Sequence, residues 1–336
     1  RIADIARMYS GHLVALFILV AVPRATPDLL LTYVINRHGA RNALPKSSFL
    51  KESASIGGVT LLPQGQKMCH DAGVAFYQRY INASTCARGN LCLAAGGDID
   101  YGVIQQGDGF NNFNTYVRSS VTDRALLSAQ SYLAGVFPAV PAWSNATAYL
   151  PTGQQPVPVY MAAGSDKDDT LVRAYTKCPV YDAQLASWYA SPEFKAKEVE
   201  SAGMRAAIEA ATPVGLGLEF GLASWWNVYD AYNVWRAYGV GDAMPDIPQT
   251  LFEQARALAV WLELSKGASA RDPDALLGGP LLSDAVRYMQ AAVDARAQGD
   301  ATYYRLLVVS GHYNVQLAVL AALRLDTHAA ARAALA

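Results

Sequence analysis

Two short apolar runs, each followed almost at once by a histidine, constrain the fold of this chain most strongly. The run "LLLTYVI" (residues 29–35) leads to His38, and the run "RLLVV" (residues 305–309) leads to His312. Short apolar runs of this kind are typical of strands buried in a sheet. The carboxyl ends of parallel strands lie at one edge of a sheet, which is where ligands bind. We therefore expect His38 and His312 to face one pocket.

The segments after the first strand alternate between helix and strand patterns. Apolar residues recur at helical spacing in 64–80 and 124–137, and a shorter strand pattern, "TYVRS", stands at 115–119. Strand followed by helix, repeated, is typical of a parallel sheet covered by helices. The sequence therefore predicts an α/β fold with a mostly parallel central sheet flanked by helices.

Helical patterns alone fill the chain from about residue 180 to residue 300, for example at 249–265 and 281–296. We expect an α/β core formed by residues 26–150 and 297–336. The segment 151–296 is then a mainly α-helical cap or insertion on that core.

The N-terminal residues have the pattern of an export signal. Basic Arg1 and Arg7 precede the apolar run 13–22, and the small residue Ala25 follows it. The run is shorter than the roughly 20 residues that span a bilayer, and it resembles the apolar region of a secretory signal. We expect a signal peptide over residues 1–25. A buried N-terminal strand and an uncleaved signal anchor are the alternatives.

Export predicts a location in the secretory pathway, either secreted or endosomal and lysosomal, with no membrane span in the mature chain. Cys86 and Cys92 bracket a turn-forming stretch and are expected to form a disulfide. Asn82 and Asn145 begin sequons and permit glycosylation. A net charge of −1 excludes a basic stripe for nucleic acid. The oligomeric state stays open.

Arginines gather at the strand ends that carry the histidines. Arg37 and Arg41 flank His38, and Arg124 follows the third strand pattern at the start of a helix. A guanidinium offers a planar fork of donors that matches phosphate oxygens, and a helix N-terminus adds oriented N–H groups. With two histidines and no metal-ligand cluster, the pattern predicts a phosphate site without metal or other cofactor. Solvated surface arginines are the alternative.

Three other segments receive structural interpretations. The glycine-rich "GLGLEFG" at 215–221 has no preceding strand, so it does not predict a dinucleotide site. The acidic "SDKDD" at 165–169 lacks the glycine and glutamate of a calcium loop and predicts a solvated surface loop. The aromatic helix around Trp225 and Trp226 is expected to serve packing, with a substrate-lining role as the alternative.

Several segments in the same order resemble the histidine acid phosphatases, branch two of the histidine phosphatase superfamily. They are "RHGAR" at 37–41, "LLPQGQKMCHDAGVAFYQRY" at 61–80, "VRSSVTDRALLSAQSYLAGVFP" at 117–138 and "VVSGH" at 308–312. Further likeness lies in "KCPVYDAQLASWYASPEF", "WWNVYDAYNV" and "LLGGPLLSDAV". The resemblance extends from about residue 30 to residue 325.

This resemblance implies a fold, a reaction and a set of roles. The fold is the histidine phosphatase one, and the substrate is a small phosphate monoester hydrolysed by an acid phosphatase. His38 would attack phosphorus and form a phosphohistidine, while Gly39 would let the backbone approach the phosphate. The non-bridging oxygens would be bound by Arg37, Arg41, Arg124 and His312.

The chain departs from the family at two points. Tyr313 stands where the family has an aspartate that protonates the leaving alcohol, and a phenol is the weaker general acid. Either Tyr313 or another carboxylate, such as Asp123, would then supply the proton, or the protein is an impaired pseudophosphatase that binds a phosphorylated ligand. A phytase-like relative is a third possibility.

The second departure concerns the C-terminus. The family continues beyond the point where this sequence stops, so we expect the C-terminal part of the core to be truncated. The family partner of Cys178 lies in that missing part, and Cys178 is therefore expected to be unpaired here.

Overall fold

The structure is a computed structural model. It describes residues 16–21, 29–42, 59–86, 92–93, 110, 112–137, 154, 156–165, 167–239, 244–268, 271–323 and 325.

Five strands form one sheet, in the order β1-β2-β5-β3-β4. Their bounds are β1 Leu16–Ala21, β2 Leu29–Arg37, β3 Thr115–Ser119, β4 Tyr160–Met161 and β5 Leu306–Gly311. Strands β2, β5, β3 and β4 run parallel, and β1 pairs antiparallel with β2. The mostly parallel α/β sheet predicted from the sequence is confirmed.

The apolar run near the N-terminus contains the edge strand β1. Leu16 pairs with Ile35 and Ala21 with Leu29. This is the strand that the sequence left as an alternative to a signal peptide. Cleavage of a signal peptide after residue 25 remains a prediction, because the pairing of β1 with β2 is that of a chain in which residues 1–25 are still attached.

The two central strands are apolar because both of their faces are covered. Every residue of β5 is buried, and so is every residue of β2 before Arg37. Parallel strands that carry helices on both faces read as continuous apolar runs. The same burial explains why the two strands were recognisable in the sequence.

Ten helices accompany the sheet in the part of the chain that the structure describes, together with two short 3₁₀ helices. The helices are α1 Pro63–Tyr80, α2 Ala83–Cys86, α3 Asp123–Val136, α4 Pro179–Tyr189, α5 Pro192–Glu200, α6 Ala202–Ala211, α7 Trp225–Tyr238, α8 Gln249–Ala268, α9 Arg271–Ala297 and α10 Tyr313–Ala322. None of the described helices is both long enough and apolar enough to cross a membrane.

Helices α1 and α3 cover one face of the sheet, and helices α9 and α10 cover the other. On the first face Phe76 and Leu133 pack in one cluster with Val34 of β2. On the second face Leu281 and Val319 pack in one cluster with Tyr33 and other strand residues. The sheet is thus supported by helices on both faces.

Helices α4 to α8 form a third apolar cluster, which includes Trp188, Trp225 and Leu262. This cluster lies within the range predicted to be the helical cap. Within the predicted cap range 151–296, however, β4 belongs to the sheet, and α9 contributes Leu281 and Met289 to the cluster on the sheet face. We therefore propose that the cap is limited to about residues 179–268.

The cysteine predictions agree with the structure. Cys86 and Cys92 form a disulfide, and Cys178 has no disulfide partner. Asn82 is half-buried, and its amide oxygen accepts hydrogen bonds from the N–H and hydroxyl of Ser84. Asn145 lies outside the described residues, and glycosylation of either asparagine remains a prediction.

A buried charged network fixes α9 to the sheet. Asp284 of α9 accepts hydrogen bonds from Tyr33 of β2, at 2.6 Å, and from Arg118 of β3. Burial alone would raise the pKa of Asp284, but bonds from Tyr33 and Arg287 and the charge of Arg118 outweigh it, so the pKa lies below the usual value. The carboxylate therefore stays ionised beneath the helix.

We expect Asp284→Ala to lower the free energy of unfolding by about 3–5 kcal/mol, because it leaves the guanidinium of Arg118 buried without its carboxylate. Urea unfolding measures the change. The matched control is Asp294→Ala, an exposed position on the same helix, where the change should stay within about 0.5 kcal/mol. Equal effects of the two substitutions would contradict a structural role for the network.

Candidate active site

The pairing of β2 with β5 brings the two histidines together. Arg37 lies opposite Gly311 in the parallel register, and the backbone N–H of His38 donates to the carbonyl of Gly311 at 3.0 Å. The centroids of the His38 and His312 rings are 5.4 Å apart, and each residue is 4% exposed. Two imidazoles from adjacent strands thus share one buried pocket, as the sequence predicts.

The tautomer of His38 follows from one hydrogen bond. Its Nδ1 lies 2.8 Å from the carbonyl oxygen of Gly39. Because a carbonyl can only accept, Nδ1 must carry the proton. In the neutral ring Nε2 then has an unshared electron pair, which is the requirement for a nucleophilic nitrogen.

Both rings are kept neutral by their surroundings. Burial, followed by the charges of Arg37, His312 and Arg41, holds the pKa of His38 well below its usual value. Burial also lowers the pKa of His312, with further lowering by Arg173, Arg124, Arg37 and Arg41. Nε2 of His38 therefore keeps its unshared electron pair at pH values below the usual pKa of histidine.

The loop that carries His38 is fixed by close backbone packing. A Cβ added at Gly39 would lie 2.3 Å from the carbonyl oxygen of Gly65, at the start of α1. The backbone N–H of Gly39 donates to Ser128 Oγ at 2.9 Å, and Ser128 Oγ donates to the carbonyl of Arg124 at 2.6 Å. The structure thus gives Gly39 a packing role in addition to the role toward phosphate that the family resemblance implies.

Three of the predicted arginines lie at this edge of the sheet. Arg124 is 5% exposed and is the second residue of α3. The guanidinium carbon of Arg37 is 5.6 Å from the ring centroid of Tyr313. Both influence the pKa of His312 by their charge, as stated above, which shows that they lie near it.

Arg41 has a carboxylate partner that the sequence did not predict. Both of its terminal nitrogens donate to Asp230 of α7, at 3.1–3.2 Å. The side chains of Arg41 and Asp230 are 7% and 8% exposed. This paired fork links α7 to the loop that carries His38, so a direct contact of Arg41 with phosphate remains a prediction. The available signal for this pair in the sequence was Asp230, the acidic residue within the aromatic segment "WWNVYDAYNV".

A fourth arginine, missed in the sequence, reaches His312. Arg173 Nη1 lies 3.1 Å from His312 Nε2, and Ser120 Oγ lies 3.0 Å from the same nitrogen. Arg173 follows the acidic segment 165–169, which was predicted to be a solvated loop. That prediction is wrong for Asp169, which is 2% exposed and accepts from the backbone N–H groups of Leu171 and Val172. Its role in turning the chain explains its burial.

Tyr313 is placed by the cap. Its hydroxyl donates to Glu263 of α8 at 3.0 Å, and its ring lies 5.0 Å from that of Trp226. Burial, followed by the charge and hydrogen bond of Glu263, raises the pKa of Tyr313 well above its usual value. Trp225 is fully buried, as expected for packing, whereas Trp226 contacts a residue of the site.

The nearest carboxylate to Tyr313 is therefore not the one considered from the sequence. Asp123 is exposed at the start of α3, whereas Glu263 is 7% exposed and also pairs with Lys266 at 2.6 Å. An acidic residue within the apolar helical segment "AVWLELS" was the only signal for Glu263. In the described part of the chain, no cluster of three or more histidine, cysteine or acidic residues could hold a metal ion.

The buried histidines predict a pH dependence of stability. Their unfolded pKa is about 6.5 and their folded pKa is well below it, so the unfolded state binds more protons below pH 6.5. The free energy of unfolding should therefore fall as the pH drops from 6.5 toward 5, by up to about 1.4 kcal/mol per unit for each histidine. Urea unfolding across this range measures the slope.

The control for this prediction is the double variant His38→Gln, His312→Gln, which should show a smaller slope than the wild type between pH 6.5 and 5. Asp284, whose pKa is lowered, contributes only in the separate window near and below pH 4. An unchanged slope in the double variant would show that the two rings do not titrate as proposed.

Comparison with known proteins gives consistent results for sequence and fold. The family model described as "Histidine phosphatase superfamily (branch 2)" matches residues 31–214. Testicular acid phosphatase of Homo sapiens is 28% identical over 326 residues, covering 95% of this chain and 69% of the human protein. Lysosomal acid phosphatase of Rattus norvegicus is 26% identical over 235 residues, covering 68% of this chain and 48% of the rat protein.

Solved structures show the same fold at low sequence identity. The phytase of Klebsiella sp. ASR1 is similar with a TM-score of 0.52 and 15% identity, over 88% of this chain and 72% of the phytase. The phytase of Citrobacter braakii is similar with a TM-score of 0.50 and 14% identity, over 88% and 76%. Since the family model covers more than half of the sequence and the fold agrees with it, the chain belongs to branch 2 of the histidine phosphatase superfamily.

Proposed function

We propose that this protein is an acid phosphatase that hydrolyses phosphate monoesters through a phosphohistidine at His38. The observation that carries the proposal is the hydrogen bond from His38 Nδ1 to the carbonyl of Gly39 at 2.8 Å. It leaves Nε2 as a neutral, basic nitrogen in a pocket surrounded by arginines. A neutral nucleophile among fixed positive charges is suited to attack on a phosphate ester.

The first step transfers the phosphoryl group to the enzyme. The electron pair of His38 Nε2 forms the N–P bond while the P–O bond of the ester breaks, and the leaving oxygen departs as an alkoxide or phenoxide that takes a proton from water. The proton on Nδ1 remains in its bond to Gly39, which becomes stronger as the ring becomes cationic. Arg37, Arg124 and His312 would bind the non-bridging oxygens, where the transition-state charge is spread.

The second step returns the enzyme to its starting state. A water oxygen attacks phosphorus, the N–P bond breaks and its electron pair returns to Nε2, and the water proton passes to phosphate or solvent. Arg41 would contribute mainly through its field and through Asp230, which holds the cap against the nucleophile loop. These roles are consistent with the acid phosphatase names of the relatives.

The cellular route is part of the proposal. The N-terminal pattern predicts a signal peptide over residues 1–25, and one relative is a lysosomal acid phosphatase. A disulfide at Cys86 and Cys92 is at home in an oxidising compartment. We place the protein in the secretory pathway, with Asn82 and Asn145 as glycosylation sites.

Trapping the intermediate tests the reaction. We expect a burst of 4-nitrophenol from 4-nitrophenyl phosphate, and phosphate bound to His38 after denaturation at alkaline pH. His38→Ala should abolish both, and the control His70→Ala, at a position 48% exposed on α1, should retain both. Phosphate binding without turnover or a trapped intermediate would instead favour the pseudophosphatase.

Tyr313 predicts a preference among leaving groups. Its hydroxyl proton is held by Glu263, and its raised pKa makes it a poor acid. Alkyl esters, which need a proton on the leaving oxygen, should therefore react more slowly by about 10²–10⁴ than they would with a positioned carboxylic acid. We expect kcat/KM to strongly favour aryl over alkyl phosphates, and Tyr313→Asp to raise the alkyl rate.

The control variant is Tyr313→Phe, which keeps the ring against Trp226 but removes the bond to Glu263. It should leave the ratio of aryl to alkyl rates unchanged. A selective loss of alkyl hydrolysis in Tyr313→Phe would identify the phenol as the acid. Similar aryl and alkyl rates in the wild type, unchanged in Tyr313→Asp, would show that another residue donates the proton.

A further inference from the structure

Each of the four parallel strands is followed by a residue of the site, and the last of these residues has no assigned role. Strands β2 and β5 lead to His38 and His312, and β3 leads to Ser120 and Arg124. Strand β4 pairs with β3 through Arg118 opposite Tyr160, and the backbone N–H of Ala162 continues this pairing to Ser119. The chain that leaves β4 at the same edge reaches Arg173.

The backbone on both sides of Arg173 is fixed. Asp169 accepts from the N–H groups of Leu171 at 3.1 Å and Val172 at 2.7 Å. On the other side, the carbonyl of Arg173 accepts from the hydroxyl and backbone N–H of Thr176, at 2.8 and 2.9 Å. The backbone of Arg173 is therefore held in a turn by hydrogen bonds on both sides.

Val172 connects this turn directly to the histidine strand. It is fully buried, and a Cβ added at Gly311 would lie 2.2 Å from Val172 Cγ1. Gly311 immediately precedes His312. The absence of a side chain at Gly311 thus lets the β4 segment approach β5 closely enough for Arg173 to reach His312.

The contact between Arg173 and His312 determines which ring nitrogen of His312 carries the proton. A guanidinium has donors and no acceptor, so the N–H of Arg173 Nη1 must donate to His312 Nε2 across their 3.1 Å separation. Nε2 then carries no proton, and in the neutral ring the proton is on Nδ1. Protonation of Nε2 would direct one N–H group at another, which the nearby positive charge disfavours.

We propose that Arg173 is a fourth arginine of the phosphate site. It fixes the tautomer of His312 and binds the non-bridging oxygen of the phosphoryl group that lies beside the His312 ring. The inference rests on the proposed function. With Nε2 of His312 unprotonated, Arg173 supplies the donor for that oxygen in place of His312, and His312 serves to hold this donor. The site then binds phosphate in acid solution without first protonating a buried ring.

Arg173→Gln and Arg173→Lys test the proposal by calorimetric titration with inorganic phosphate at pH 7, 6 and 5. The glutamine variant should bind phosphate about tenfold to a hundredfold more weakly than the wild type at pH 7. Arg173→Lys keeps the positive charge but not the planar pair of donors, and it should lose less phosphate affinity than Arg173→Gln. The matched control is Lys177→Gln, which removes a positive charge from the same segment at a side chain 68% exposed, and it should bind phosphate as the wild type does.

The pH profile separates a role at His312 from a merely structural one. Burial and then the charge of Arg173 lower the pKa of His312, so Arg173→Gln should let this ring protonate at a higher pH. The deficit of the glutamine variant relative to the wild type should therefore shrink from pH 7 to pH 5. The lysine variant should keep a nearly constant deficit, and guanidinium ion should partly restore phosphate binding to Arg173→Gln.

The outcomes distinguish a failure of the role of Arg173 from a failure of the proposed function. Arg124→Ala serves as the reference for loss of an arginine at the site, and it should weaken binding by a similar factor. Wild-type affinity in Arg173→Gln, or a deficit that is the same at all three pH values and does not respond to guanidinium, would overturn the role of Arg173 alone. Absence of phosphate binding by the wild type would overturn the proposed function as well.

Discussion

The parallel pairing of β2 with β5 is the constraint on which the site depends. Because Arg37 lies opposite Gly311, the residues that follow each strand leave the sheet side by side, and the two imidazoles meet. Burial of both strands on both faces holds that register, because a shift by one residue would exchange the side chains of the two faces, and each set is packed against its own helices. The position of His38, the proposed nucleophile, is therefore a consequence of how the core is packed.

The chemistry adds positive charge to this buried edge, and the protein balances it in different ways. Arg41 meets Asp230 in a bidentate pair, which also attaches the cap. Arg37 lies against the face of Tyr313, where burial and the neighbouring charge of Arg41 lower its pKa. Concentrating cations around two neutral imidazoles favours an anion with several oxygens. Burial first, and the charges of Arg37 and Arg41 in addition, hold the pKa of His38 low, so the arginines that would bind phosphate also favour the neutral ring.

The sequence predicted the features that depend on local patterns, and it missed those that depend on packing between distant segments. Strands β2 and β5, helices α1 and α3, and the disulfide between Cys86 and Cys92 follow from periodicity and short spacing. Arg173 was missed because β4 has only two residues and gives no strand pattern. Glu263 was missed because its contact with Tyr313 joins segments 50 residues apart. For Asp169, local charge suggested exposure, whereas its bonds to Leu171 and Val172 require burial.

The contact between Tyr313 and Glu263 shows how the cap can alter the reaction without altering the phosphate pocket. A free phenol is already a weak acid with a pKa near 10, and burial beside a carboxylate makes it weaker still. Its hydroxyl donates a hydrogen bond to Glu263 and its ring lies against Arg37, so we propose that Tyr313 shapes the pocket and does not supply the proton. In the proposed mechanism, attack by His38 would need only the arginines and the neutral imidazole, whereas departure of the alcohol would depend on its own acidity or on water. In that mechanism attack and departure use different groups, so a substitution at the residue after His312 that keeps a ring against Arg37 would change which esters react more than it changes the affinity for phosphate.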